Sequence, residues 1–120
     1  DMEYMDLKER TVRFSLQVIA FVEKLPDGTS MNVIGRQLLR SATSIGANYH
    51  AARRAKSARD FINKLKIVEE EADETVYWLT LIMRSGRIDP ATTQNLLTEA
   101  GELVAIIVAS IKKARGRGKA

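Results

Sequence analysis

Four stretches of this chain carry apolar or small residues at alternating intervals of four and three, and this pattern constrains the fold more than any other feature. The first reads Leu7, Thr11, Phe14, Val18, Phe21, Leu25, and the second Met31, Gly35, Leu38, Ala42, Ile45, Tyr49, Ala52. The third reads Phe61, Leu65, Val68, Ala72, Thr75, Leu79, Ile82, and the fourth Thr93, Leu97, Ala100, Val104, Ile107, Ile111. A mean interval of about 3.5 keeps one side of an α-helix turned toward a partner, whereas a strand would alternate every second residue. Local signals place the ends. Pro26-Asp27-Gly28 reads as a turn, Ser30 as an N-cap, Ser57 with Asp60 as a capping box, Gly86 as a helix stop, and Asp89-Pro90 as an N-cap followed by proline at the first helical position. The expected helices span about 7–25, 31–55, 58–84 and 90–113. Connections this short turn each helix back on its predecessor. The expectation is an all-α, antiparallel up-down-up-down four-helix bundle over residues 1–112, with a basic tail over 113–120.

Composition removes several classes of function. The chain has 120 residues, enough for one core, and no cysteine, so thiol chemistry, thiolate zinc and disulfides are excluded. Absence of cysteine fits a reducing cytoplasm. No uninterrupted apolar run reaches membrane-spanning length and no leader pattern is visible, so the expectation is a soluble, cytoplasmic protein with no membrane contact. One histidine, His50, supplies no metal pair and no nucleophile-activating set. The acidic run Glu69, Glu70, Glu71, Asp73, Glu74 lacks the Glu-x-x-His pairs of di-metal bundles, and reads as a solvated face or a salt-bridge partner for basic residues of a neighbouring chain. Neither an enzyme nor a cofactor or metal site is expected.

The charge pattern points elsewhere. Between Arg36 and Lys66 lie eight basic residues against one acidic, Asp60, in a chain of net charge +4. At 100° per residue, Arg36, Arg40, His50 and Arg54 share one side of the second helix, a stripe roughly 27 Å long. Arg53, Lys56 and Arg59 follow around the next turn. Beyond Ile111, Lys112, Lys113, Arg115, Arg117 and Lys119 alternate with Gly116 and Gly118, and this glycine density reads as a flexible tail that meets phosphate through charge. A solvated helix face is the plain alternative for the stripe, as solubility is for the tail. No base-reading motif accompanies either, so any nucleic-acid binding is expected to show little sequence preference.

Two helices carry more apolar surface than one seam needs. Val12, Leu16 and Ile19 lie opposite Phe14 and Phe21, and Trp78 and Leu81 flank the third seam. Such patches mark partner surfaces, here a second copy, with Gly101, Ala105 and Ala109 offering close approach on the fourth helix. The alternative is a bundle interior wider than a two-position seam.

The string from Gln37 to Tyr49 (QLLRSATSIGANY), Ser57 to Phe61 (SARDF), Lys64-Leu65 and Glu74 to Leu79 (ETVYWL) closely resembles the bacterial four helix bundle proteins, also called 23S ribosomal RNA intervening-sequence proteins. Asp6-Leu7, Arg10-Thr11 and Leu25-Pro26 fit the family's first helix, so the resemblance covers residues 6 to about 112. It implies a helical bundle assembling as a homopentamer. A similar protein, the accessory variability determinant of diversity-generating retroelements, binds nucleic acid and a reverse transcriptase, which implies RNA or DNA and such a partner protein as candidates here. Arg40, Ser44 and Asn48 match the motif best and read first as contacts across bundle interfaces, second as ligand contacts. Where many relatives carry an acidic residue after the Asn-aromatic pair, this chain has His50-Ala51-Ala52, which makes the stripe more positive.

Taken together, the expectation is a non-enzymatic homo-oligomeric scaffold binding nucleic acid through Arg36, Arg40, His50, Arg53, Arg54, Lys56, Arg59, Lys112, Lys113, Arg115 and Arg117. Its subunits would meet through Val12, Leu16, Ile19, Ser44, Asn48, Trp78 and Leu81. The competing expectation is a protein-interaction scaffold without nucleic acid.

Overall fold

The structure is a computed structural model that describes residues 6–118, with side chains through Gly116. Four helices account for nearly all of them: α1 (Leu7–Glu23), α2 (Thr29–Ala52), α3 (Ala58–Arg84) and α4 (Pro90–Gly118). α2 packs along α3, α3 along α4 and α1 along α2, each pair antiparallel, while α1 and α4 meet only sparsely. The result is a four-helix bundle of 52 × 30 × 20 Å whose fourth edge is partly open.

Caps explain the starts. The Asp6 carboxylate accepts from the Lys8 amide at 3.2 Å, the Ser57 hydroxyl from the Asp60 amide at 3.1 Å, and the Asp89 carboxylate from the Ala91 amide at 3.1 Å, one residue past Pro90. α2 departs from expectation. It begins at Thr29 behind Gly28, whose φ of 142° suits only glycine, and Ser30 lies inside the helix. Ends taper through i→i+3 bonds: Lys24 and Leu25 donate to Phe21 and Val22, and Arg54 and Ala55 to Ala51 and Ala52. These turns finish α1 and α2 two or three residues before their expected limits. Gly86 follows α3 with φ 70°, the left-handed stop anticipated for it.

The first three seams form the core as spaced, with Phe14, Val18, Leu38, Ala42, Ile45, Leu65, Val68, Ala72, Leu79 and Ile82 fully buried. The Ser41 and Thr75 hydroxyls meet at 2.9 Å across the α2–α3 contact, so this pair of buried polar groups is satisfied. In α4 four of the six seam positions, Thr93, Ala100, Ile107 and Ile111, are buried as spaced, and at the other two the preceding leucine takes the place in the core. Leu96 and Leu103 are buried, and Leu97 and Val104 sit half-buried at the flank. Because the apolar residues come in adjacent pairs, spacing alone allowed either phase. The one adopted also turns Glu99 and Glu102 toward α1, where the Arg10 guanidinium donates to Glu99 at 2.7 Å through two nitrogens and to Glu102 at 3.0 Å. This cluster is the main tie across the open edge, and the two carboxylates hold the Arg10 pKa above its ordinary value. With Arg10 and Glu99 side chains only 16% and 17% exposed, Arg10→Met should lower the unfolding free energy by about 1–3 kcal/mol. Urea unfolding measures this, and adding Glu99→Met should restore part of it; an unchanged midpoint in Arg10→Met would refute the tie.

The basic C-terminal segment corrects a second expectation. Helix α4 continues to Gly118 rather than fraying at 113, so the described part of the segment is helical. Once a long helix is nucleated, each further residue adds a hydrogen bond at small cost. Lys112, Lys113, Ala114 and Arg115 are strong helix formers, and a glycine costs only about 1 kcal/mol. Lys119 lies outside the described residues. By length and composition α4 resembles a membrane-crossing helix, yet its bulky apolar side is the core stripe Leu96, Leu103, Ile107 and Ile111.

Candidate nucleic-acid interface

Antiparallel order decides where the cations gather. α2 ends, α3 begins and α4 ends at the same pole of the bundle, and the buried side chains of Ala52 and Ile111, with half-buried Phe61 against them, belong to one core. The α2–α3 turn brings Arg53, Arg54, Lys56 and Arg59, and α4 brings Lys112, Lys113 and Arg115, all exposed. The side chain of Arg117 lies outside the described residues. Two basic features about sixty positions apart in sequence thus share one end of the molecule.

Two carboxylates at this end, Asp6 and Asp60, are engaged in local structure. Asp6 stands 3.5 Å from the Arg53 guanidinium. The pKa of that guanidinium is raised, first by the neighbouring Tyr49 hydroxyl and then by Asp6. Asp60 accepts from the Lys64 ammonium at 2.7 Å and from the Lys56 amide at 3.1 Å, bonds that lower its pKa and tie it to the first turn of α3. Arg54, Arg59, Lys112, Lys113 and Arg115 make no ion pair among the described residues.

The upper part of the stripe differs. Arg40 is 3.3 Å from Glu71, also pairs with Glu74, and donates to Gln37 at 3.2 Å, so it ties α2 to α3. The acidic run was expected as a solvated face or as a salt-bridge partner for a neighbouring chain; Glu71 and Glu74 instead pair with Arg40 of the same chain. Arg36 stays exposed nearer the opposite pole. His50 is half-buried, its Nε2 3.4 Å from the Lys8 carbonyl, where α1 begins. Among the described residues no group of three or more His, Asp or Glu side chains is placed to hold a metal ion.

Residues expected at subunit contacts divide in two. Val12, Leu16 and Ile19 are 37%, 61% and 41% exposed, so on α1 the wider-interior alternative fails. On α3, Trp78 packs against the core and makes an edge contact with Tyr77 at 5.0 Å, and Leu81 is half-buried, so there the interior is wider. The Ser44 hydroxyl and the Asn48 amide donate to carbonyls of their own helix, at Arg40 and Ser44.

Sequence reading missed a hollow at the basic pole, about 460 Å³, lined by Ala52, Arg53, Ala55, Lys56, Ser57, Ala58 and Phe61. The alanines at 52, 55 and 58, spaced by three across a turn, were the available signal. A second groove of about 390 Å³ opens between α1 and α4 at the other pole, lined by Phe21, Lys24, Leu25, Ile88, Asp89 and Leu96 among others.

The fold has a solved counterpart. A crystal structure of a protein of unknown function from the S23 ribosomal protein family of Bacteroides thetaiotaomicron shares 34% identity, superposes with a TM-score of 0.83, and aligns over 89% of this chain and 99% of its own. No curated protein matches. The family described as 23S rRNA-intervening sequence protein matches residues 3–109. On that match and the shared fold, this chain belongs to the 23S rRNA-intervening sequence protein family.

Proposed function

We propose that this protein is a non-enzymatic, cytoplasmic, homo-oligomeric helical scaffold that binds RNA or DNA with little sequence specificity through the basic pole of its bundle. The observation that carries the reading is the convergence there of Arg53, Arg54, Lys56 and Arg59 with Lys112, Lys113 and Arg115, next to carboxylates already engaged by Arg53 and Lys64. Cations on rigid helix ends fit phosphates, whereas sequence reading would need side chains presented to base edges in a groove. The exposed α1 ridge of Val12, Leu16 and Ile19 supports self-association. That ridge alone favours a second reading, a protein-interaction scaffold that never touches nucleic acid.

Salt separates the two readings. Anisotropy of a labelled structured RNA and a matched DNA duplex, from about 50 to 200 mM salt, should show micromolar or tighter binding that falls steeply as salt rises. Mass measurements in the same buffers should show an oligomer that persists, because apolar contacts are insensitive to screening. No binding at the lowest salt would leave the protein-interaction reading.

A further inference from the structure

We propose that the hollow between the end of α2 and the first turn of α3 receives one unpaired nucleotide, so that the basic pole prefers single-stranded nucleic acid to a continuous duplex. The inference rests on the nucleic-acid reading above and names the substrate class of the same site.

The hollow has the chemistry a nucleotide needs. Its floor is Ala52, 1% exposed, and its walls are the methyl groups of Ala55 and Ala58 with the half-buried Phe61 side chain. Such a surface suits the flat apolar face of a base, which stacks on aromatic side chains whatever its identity. Charge borders the same space. Arg53 and Lys56 line the hollow, and Arg53 is braced by Asp6 at 3.5 Å. A nucleotide with its base against Phe61 would set its phosphate against these cations, with Arg54 and Arg59 on either side of the turn for adjoining phosphates. At about 460 Å³ the hollow is a shallow depression open to solvent, with room for one base laid on Phe61 and its outer face uncovered.

Exclusion of duplex follows from shape. Bases in a helix are stacked and sealed by pairing, so only their edges reach a protein surface, and the alanine and Phe61 surface of the hollow gains nothing from a phosphate ridge. The groove between α1 and α4 offers no comparable arrangement, since Lys24 and Asp89 line it with opposite charges.

The test compares a labelled single strand of about 12 nucleotides with a blunt duplex of the same sequence by anisotropy at about 100 mM salt. Wild type is measured beside Ala58→Leu and Phe61→Leu. Ala58 is exposed in the first turn of α3, so leucine there fills the hollow without changing charge or disturbing the core. Circular dichroism confirms that each variant is folded. The expected result is at least a tenfold preference of wild type for the single strand. Ala58→Leu should lose about tenfold for the single strand and keep its duplex affinity, with Phe61→Leu weakening the single strand in the same direction, as the loss of one stacked base implies. Equal wild-type affinity for the two forms, or an Ala58→Leu variant that changes both or neither, overturns the inference while the phosphate-binding reading stands. Failure of wild type to bind either form at low salt removes both.

Discussion

A Phe14→Ala variant should unfold with a free energy about 3–5 kcal/mol smaller than that of the parent chain. Phe14 is 0% exposed, on one of the two helices that flank the open edge, so the cavity left by its ring is relieved chiefly by moving α1 toward α2. That motion is restricted. A Cβ added at Gly46 would already stand 3.3 Å from the Thr11 hydroxyl and 3.4 Å from its Cβ, which shows how closely α1 lies on α2. Set against a typical domain stability of about 5–15 kcal/mol, the loss would shift the urea midpoint strongly. The informative companion is Leu16→Ala, two residues along the same helix and 61% exposed. In dilute protein it should change stability by no more than about 0.5 kcal/mol. Similar losses at both positions would mean that α1 is rotated from the orientation described, and a Leu16→Ala loss that grows with protein concentration would place the ridge in a subunit contact.

The second large effect concerns charge. Replacing Arg54, Lys56, Arg59 and Lys113 together with glutamine should reduce nucleic-acid affinity by roughly three orders of magnitude at about 0.1 M salt, and flatten the slope of log affinity against log salt by about 3. Both figures follow from the release of somewhat under one counterion per phosphate contact. The four side chains are exposed, and their loss removes no core packing, so unfolding midpoints should stay near the parent value. A set of three at the other pole, Lys24, Arg84 and Arg87, serves as control and should alter the slope little. Equal losses per charge removed from the two sets would show that net charge alone, without a defined site, governs binding.

Periodicity carried most of the fold into the sequence. Phe14 and Leu65 each stand between polar neighbours, so only one helical phase buries them. Leu96-Leu97 and Leu103-Val104 are doublets, and their phase depends on a long-range fact, the pairing of Arg10 with Glu99 and Glu102. The stripe on α2 was legible as charge, but not its division into Arg40, held by α3, and the cations near the turn, because that division depends on which acidic residues lie across the groove. The pole itself was implicit in the antiparallel order. Its hollow was not, since three alanines and a phenylalanine spaced by three look identical whether they meet a neighbour or open space.

Continuation of α4 as a helix changes what Lys112, Lys113 and Arg115 can contribute. On a disordered segment, each residue fixed by a ligand would cost about 1–2 kcal/mol of backbone conformational entropy, a loss that offsets much of the attraction to phosphate. On a helix that cost has been met during folding, and the three charges are held at fixed angles on a stiff rod, Lys113 about 100° and Arg115 about 300° around from Lys112. They also lie where the helix macrodipole is negative, which favours cations. A phosphate partner is therefore met by charges whose spacing is set before contact, and a helix-breaking substitution at Ala114, such as proline, would leave the net charge intact while making the same residues weaker ligands.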